Sequence, residues 1–451
     1  MNPLLYTDGY KVDHRRQYPK NTTLVYSNWT PRKSRIEGVD KVVFFGLQYV
    51  IKKYVINDFQ EHFFNQTKEG ICKKYTRHIN NYLGENKVGI QHIADLHDLG
   101  YLPIVIKALP EGASVPIRVP MFTIYNTKPE FFWLTNYFET LLSAVIWMPC
   151  TSATIAKQYR KILGEYAEDT SSIPEFVDWQ GHDFSMRGMA GLEAAILSAS
   201  GHLLSFTGTD TIPSIDFLEM YYNADSDAEL IGGSVAATEH SVMCMGTNSE
   251  ELETFKRLIT EIYPNGIVSI VSDTWDLWKV LTEYLPNLKN EVLARDGKVV
   301  IRPDSGDPVD IVCGNPNGKT IEEQKGVIQL LWETFGGATN QKGYKELDSH
   351  IGAIYGDSIT IERATQICER LKQKGFASTN VVLGIGSFTY QYNTRDTFGF
   401  AMKATYGEVD GEGREIFKDP ITDDGTKKSA KGLLKIIKEN GAYKLIDQIS
   451  W

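Results

Sequence analysis

The chain has 451 residues, of which 42% are hydrophobic and 23% charged, with a formal net charge of −10. Those proportions suit a globular protein of two or three domains. The negative charge argues against non-specific nucleic-acid binding, and no uninterrupted apolar run reaches membrane length.

In chain order, Tyr6-Thr7-Asp8-Gly9-Tyr10-Lys11 precedes a predicted strand over Thr23–Trp29 and a basic loop, Thr30–Arg35. Residues 42–100 read as helices whose aromatic stripes form core. Pro103–Ile124 holds short, Pro-punctuated strands around a Glu111-Gly112 turn, which reads as antiparallel. Phe131–Leu163 reads as a long helical region. Scattered Cys72, Cys150, Cys244, Cys313 and Cys368 lack CxxC spacing, so reduced thiols are expected rather than a disulfide frame or a zinc site. With no basic n-region and apolar h-region at the N-terminus, the expected location is cytoplasmic.

From Gly181 onward one unit repeats: an apolar run, a polar tip, an amphipathic helix. Val299–Ile301 ends in Arg302-Pro303-Asp304-Ser305-Gly306-Asp307. Ile267–Val271 ends in Ser272-Asp273, Ile351–Tyr355 in Gly356-Asp357-Ser358, and Val381–Leu383 in Gly384-Ile385-Gly386-Ser387. Leu203–Phe206 and Ser234–Ala237 are further expected strands, ending at Asp210 and at Glu239-His240-Ser241. Between them lie helical stripes: Leu252, Phe255, Ile259, Ile262; Leu277, Val280, Leu281, Tyr284; Val327, Leu330, Leu331, Phe335; and Ile361, Ala364, Cys368, Leu371. This is a βα series, and parallel strands put their C-terminal tips at one end, where ligands bind. Polar loops are common in any protein, yet six such tips in series favour one shared pocket. After Arg395, turns at Gly411-Glu412-Gly413 and Asn440-Gly441 separate strand-like runs. The expected fold is α/β: an incomplete parallel α/β barrel over 146–390, with a smaller antiparallel α+β domain built from both chain ends, 1–145 and 391–451.

The tips define a ligand with several polar parts. Arginines and lysines suit phosphate oxygens, acidic tips suit sugar hydroxyls or an amide, and Phe184 in a polar tip suits a flat ring. A phosphorylated sugar plus an aromatic base fits all three. Neither a GxGxxG after a strand nor a GxxxxGK[ST] loop is present.

These motifs, in this order, resemble the nicotinamide phosphoribosyltransferases, which are type II phosphoribosyltransferases. The resemblance is carried by Asp8-Gly9-Tyr10-Lys11, Phe45–Tyr49, Ala108–Gly112, His182-Asp183-Phe184 with Arg187-Gly188, and Gly208–Thr211. It continues through Glu239-His240-Ser241, Val271–Asp273, Ile301–Gly306, Gly356-Asp357, Thr394–Asp396 and Phe417–Pro420, so it covers nearly the whole chain. It implies condensation of nicotinamide with 5-phosphoribosyl-1-pyrophosphate in NAD salvage, by a homodimer with shared active sites.

By that resemblance, Phe184 and a partner subunit's Tyr10 sandwich the pyridine ring, and Asp210 accepts from the carboxamide. Arg187 and Arg302 face base and phosphates; Asp304 and Gly356 hold the ribose; Gly386 and Ser387 cradle the 5′-phosphate. Ser269 and Asp357 join the substrate contacts. Arg32, Arg395, Lys403, Lys418 and Lys427 form a phosphate wall, some from the partner. His240 matches a histidine phosphorylated from ATP, with Asp273 placed to orient it. Mg²⁺ arrives with pyrophosphate groups, so no metal ligand set is expected in the protein. Two departures stand out: Gly384-Ile385-Gly386-Ser387-Phe388 replaces a richer glycine run, and Gly9 stands where serine is common. His182 reads equally as a structural hydrogen-bonder, and Lys427, beside Lys428 and Lys431, as part of a solvated face.

Two alternatives remain at this level. One is a nicotinate or quinolinate phosphoribosyltransferase, whose carboxylate substrates would want a cation or neutral donor at Asp210. The other is an inactive nucleotide-binding sensor on the same fold, which would not need Arg302, Asp304, His240 and Asp210 together.

Overall fold

The computed structural model describes residues 1–84, 87–356, 358–418, 421–422 and 430–448. Its contacts divide the chain into two compact units, 1–154 with 393–451, and 155–392.

The first unit is built on a five-stranded antiparallel sheet. Thr22–Thr30 lies at its centre, flanked by Phe122–Asn126 on one side and Ala401–Val409 on the other. Chain ends almost 400 residues apart are therefore sheet neighbours, as in the pair Asn28 and Lys403. Trp29 fixes the centre of this unit, fully buried and stacked on Phe400 at 4.5 Å and on Phe122 at 5.6 Å. Asp410-Gly411 and Asn440-Gly441 turn the two C-terminal hairpins with positive φ at both central residues, which Asn, Asp and Gly tolerate best. The helix Glu139–Thr170 is apolar enough in length and composition to cross a membrane, but 72% of its most apolar window, within Pro129–Thr170, is buried as core.

The second unit is a seven-stranded parallel sheet. In spatial order its strands are Gly208–Thr209, Gly181–Asp183, Val381–Ile385, Ile351–Tyr355, Asp296–Arg302, Asn265–Val271 and Ala236–Ala237. The sheet curls, and Gly233, three residues before the last strand, bridges to the first one. There the Gly233 N–H donates to Thr207 O, and the Thr209 N–H donates to Gly233 O. This is a barrel one strand short of a full (β/α)₈ ring.

Alternation along the strands sorts side chains to two faces. In Asp296–Arg302, Val299 and Ile301 are fully buried, while Lys298, Val300 and Arg302 line the interior cavity. Asp307-Pro308 starts the next helix, Pro308–Cys313: the Asp307 carboxylate accepts from the backbone N–H groups of Val309 and Asp310. Proline is already set for the first helical position, so Asp307 is a helix cap rather than a ligand group.

Three expectations are corrected. Leu203–Phe206 forms no strand; it is the turn after helix Leu192–His202, and Phe206 plugs the core with its ring 5.0 Å from that of His202. Period alone does not separate a short apolar plug from a buried strand. Ser234–Ala237 shrinks to a two-residue strand, Ala236–Ala237. Ile262 leaves the helical stripe and is 51% exposed, because Leu258–Ile262 is wound with wider turns that rotate it outward.

Candidate active site

An interior cavity of about 520 Å³ runs along the strands of the second unit, from Lys298, Ile351 and Asn380 towards their N-terminal ends to Asp210 and Arg302 at the tips. Its lining includes His182, Phe184, Asp210, Ser234, Ser269 and Arg302, so residues far apart in sequence share one space.

Asp210 lies just past the strand Gly208–Thr209, and its Oδ1 accepts from Ser234 Oγ at 2.7 Å and pairs with His182 Nε2 at 2.8 Å. Burial works to raise its pKa, but these two hydrogen bonds, with the charges of His182 and Arg302, bring it below the ordinary carboxylate value. His182 leans over Gly208, where a Cβ would meet its Nδ1 at 2.6 Å, and its ring lies 4.5 Å from that of Phe184. Ser269 Oγ is buried without a partner and faces the same cavity. An ionised acceptor, an orphan hydroxyl and an aromatic ring in one apolar-walled space suit a flat ring carrying an amide.

Arg302 is held by its Nη2 donating to Thr238 O. Burial lowers its pKa, the carboxylates of Asp304, Asp210 and Asp273 oppose that, and the charge of Arg187 adds to it. Arg187 therefore lies near enough to Arg302 for the two positive charges to interact. Gly356 closes the approach behind them: a Cβ there would sit 3.2 Å from Asp304 Cβ and 3.8 Å from Arg302. Gly386 and Ser387 stand at the end of strand Val381–Ile385 and begin the short helix Ser387–Tyr390, with Ser387 Oγ against Gly188.

His240 begins the helix His240–Met245 and is half-exposed. Its Nδ1 lies 3.2 Å from Thr274 Oγ1; its Nε2 faces Asp304 Oδ1 at 3.4 Å and Asp273 Oδ1 at 3.9 Å. Glu239 points elsewhere and accepts from Ser241 Oγ. Asp273 is buried. Its Oδ2 accepts from the N–H groups of Asp304 and Ser305, each at 2.9 Å, and from Ser305 Oγ at 2.5 Å, so one carboxylate ties two strand tips together.

The first unit carries the remaining candidates. Tyr10 is 63% exposed on the turn Gly9–Asp13. Lys11 Nζ lies 2.6 Å and Lys403 Nζ 3.9 Å from the Glu139 carboxylate, and Arg32 and Lys418 lie near Lys403. Burial lowers the pKa of Lys403, Glu139 opposes this, and the other three cations push it further down. Arg32 donates to Gly399 O at 3.0 Å, and Arg395 pairs with Asp396 at 3.3 Å. Asp357 and Lys427 lie outside the described residues.

Sequence reasoning missed four contributors. Thr274 follows Asp273 directly and reads as loop, and Lys11, beside Tyr10, carries no chemical signal of its own. Asp183 is fully buried and accepts from Ser185, Thr209 and Thr211, so it braces the tips rather than touching the cavity. His202 pairs with Tyr390 at 2.6 Å and Gly208 O at 3.1 Å, and burial brings its pKa down to about 4. It is a neutral strut with no sequence signal beyond its helix.

A model of the nicotinate phosphoribosyltransferase family matches residues 179–445, and a nicotinamide phosphoribosyltransferase N-terminal domain model matches residues 2–106. A nicotinamide phosphoribosyltransferase of Acinetobacter baylyi is 55% identical over 100% of this chain and 91% of its own length. One from Mycoplasma pneumoniae is 39% identical, covering 95% of this chain and 94% of its own. Among solved structures, a nicotinate-nucleotide pyrophosphorylase from Pyrococcus furiosus shares the fold at TM-score 0.59 and 12% identity, covering 100% of this chain and 85% of that one.

Gly384 tests the aromatic wall. A Cβ there would meet Phe184 Cδ2 at 2.7 Å and the backbone oxygen of Tyr355 at 2.8 Å, so Gly384→Ala must displace the ring. Turnover of a pyridine-sized substrate should fall about 10²-fold in kcat/KM, as an ångström-scale misplacement does, with circular dichroism unchanged. Unaltered kinetics would mean the ring is not a contact surface.

Proposed function

The chain belongs to the nicotinate phosphoribosyltransferase family, within its nicotinamide phosphoribosyltransferase branch, and from that premise we infer that it condenses nicotinamide with 5-phosphoribosyl-1-pyrophosphate. The products are nicotinamide mononucleotide and pyrophosphate. The observation that carries the choice of base is Asp210, a carboxylate held ionised at the aromatic end of the cavity. It accepts an amide N–H and repels the carboxylate of nicotinate.

The pyridine nitrogen is a neutral nucleophile with no proton to lose, so the reaction needs no general base. Rate comes from holding that nitrogen in line with the ribosyl carbon and from stabilising charge as pyrophosphate departs. Phe184 positions the ring; Arg302 and Arg187 meet the phosphates; Asp304 and Gly356 hold the ribose; Gly386 and Ser387 receive the 5′-phosphate. Mg²⁺ travels with the pyrophosphate oxygens and neutralises part of their charge.

The working form in this reading is a cytoplasmic homodimer. Tyr10, a large exposed aromatic, closes the ring sandwich in a partner subunit's site, and the cations around Glu139 serve as phosphate contacts. The five cysteines are all free, which supports a reducing compartment. ATP is a co-substrate: with its Nδ1 proton donated to Thr274, His240 presents Nε2 to the γ-phosphate. The bond from the γ-phosphorus to the bridging oxygen breaks, a phosphorus–nitrogen bond forms, and ADP leaves.

Base choice is tested by assaying both bases with phosphoribosyl pyrophosphate and following product by mass. Nicotinamide should be preferred by at least about 10²-fold, the size of a like-charge penalty of several kcal/mol. Because the Asp210 pKa is depressed, the preference should persist as pH falls towards 5 and fade only below the ordinary carboxylate range. Asp210→Ser should accept nicotinate; equal use of both bases by the unaltered protein refutes the assignment.

Assembly is tested by complementation. Tyr10→Ala and Phe184→Ala should each be nearly inactive, yet regain activity when mixed and allowed to exchange subunits, since one site per heterodimer is then intact. Verified exchange without recovery means that Tyr10 does not serve a partner's site.

Phosphorylation is tested with γ-labelled ATP. His240→Ala should lose an acid-labile, base-stable label and most of the ATP stimulation while keeping slow ATP-independent synthesis. Undiminished labelling in that variant places the phosphate elsewhere.

A further inference from the structure

We propose that His240, Asp273 and Asp304 form a binding site for one divalent transition cation of the zinc class, which shuts off the histidine when occupied. The sequence reading expected no metal ligands in the protein. In the fold, one donor atom from each of these residues lies within 4.8 Å of the others. His240 Nε2 is 3.4 Å from Asp304 Oδ1 and 3.9 Å from Asp273 Oδ1. A tetrahedral zinc with bonds near 2.0 Å needs donor separations of about 3.3 Å, so small side-chain rotations complete three corners. The fourth corner opens on the cleft through half-exposed His240 and Asp304.

Two further observations point to a ligand. Asp273 is 95% buried (its side chain keeps 5% exposure), and Oδ1 has no hydrogen-bond partner although Oδ2 has three donors. A buried carboxylate oxygen aimed at an imidazole nitrogen without a bond is costly unless a cation joins them. The second is Thr274, whose Oγ1 lies 3.2 Å from His240 Nδ1; when that hydroxyl accepts from Nδ1, Nε2 is the nitrogen left to ligate beside the two carboxylates. Metal-bound histidines are held in this way by an outer partner on the other nitrogen. An imidazole with two carboxylates suits zinc, cobalt or manganese better than magnesium, which prefers oxygen alone.

Occupancy would take the Nε2 lone pair and so block phosphoryl transfer. That consequence rests on the phosphohistidine reading; the binding itself does not.

The test uses the full-length protein after chelator treatment, titrated with Co²⁺ and then Zn²⁺ without substrates. One Co²⁺ per chain should bind with the visible absorption of a tetrahedral site, and Zn²⁺ should bleach it. His240→Ala and Asp304→Asn should each weaken binding beyond the roughly 10–100-fold loss of an outer-shell change, and Thr274→Val should fall within that range. Cys244→Ser, one helical turn from His240, should bind as the unaltered protein does. Binding that survives His240→Ala, that disappears in Cys244→Ser, or that equimolar Mg²⁺ displaces overturns the proposal. In a parallel arm, stoichiometric Zn²⁺ should abolish labelling by γ-labelled ATP. Absence of label even in metal-free protein counts against the phosphohistidine and leaves the cobalt result to stand on its own.

Discussion

Each barrel strand must hide one face under its helices, and pleating then decides what the opposite face presents. Along Asp296–Arg302 the consequence is concrete: Val299 and Ile301 pack outward with no exposure, so Lys298, Val300 and Arg302 must look inward. A one-residue slip would exchange the two sets and put an arginine under the helices. Because the strands are parallel, their polar ends also arrive at the same rim. The active site is thus a by-product of burying the outer face, and its contents are whatever residues the tips carry.

Rim geometry is then tightened by groups that never touch a ligand. Asp183 collects the hydroxyls of Ser185, Thr209 and Thr211, and Asp273 gathers the start of the Asp304–Ser305 loop. Buried carboxylates are tolerable because several donors meet each one. Glycines complete the arrangement where a Cβ would collide: Gly208 under His182, Gly384 under Phe184. Rigid support of this kind suits a reaction in which placement, rather than proton transfer, lowers the barrier.

Charge is divided sensibly between the two units. Arg302 lies among the carboxylates of Asp304, Asp210 and Asp273, while the antiparallel unit gathers Lys11, Arg32 and Lys418 around Lys403, with Glu139 beside it. His240 sits at the other extreme, an imidazole set between two carboxylates.

The sequence alone determined the βα series and the antiparallel character of both ends, and it marked Asp210, Arg302 and Phe184, which the fold brings to one cavity. Those features are written in local patterns: period two, helical stripes, Pro and Gly stops, and motifs that survive as contiguous strings. Only the tertiary structure decided which groups face each other. That Thr274 rather than Glu239 steadies His240 depends on how neighbouring strand tips turn. That Phe206 is a plug and not a strand depends on the turn after helix Leu192–His202 and on the ring stacking against His202. The pairing of Thr22–Thr30 with Ala401–Val409 depends on contacts almost 400 residues apart. Hydrophobic periodicity is a property of a segment, whereas an orphaned oxygen such as Asp273 Oδ1 is defined only by everything packed around it.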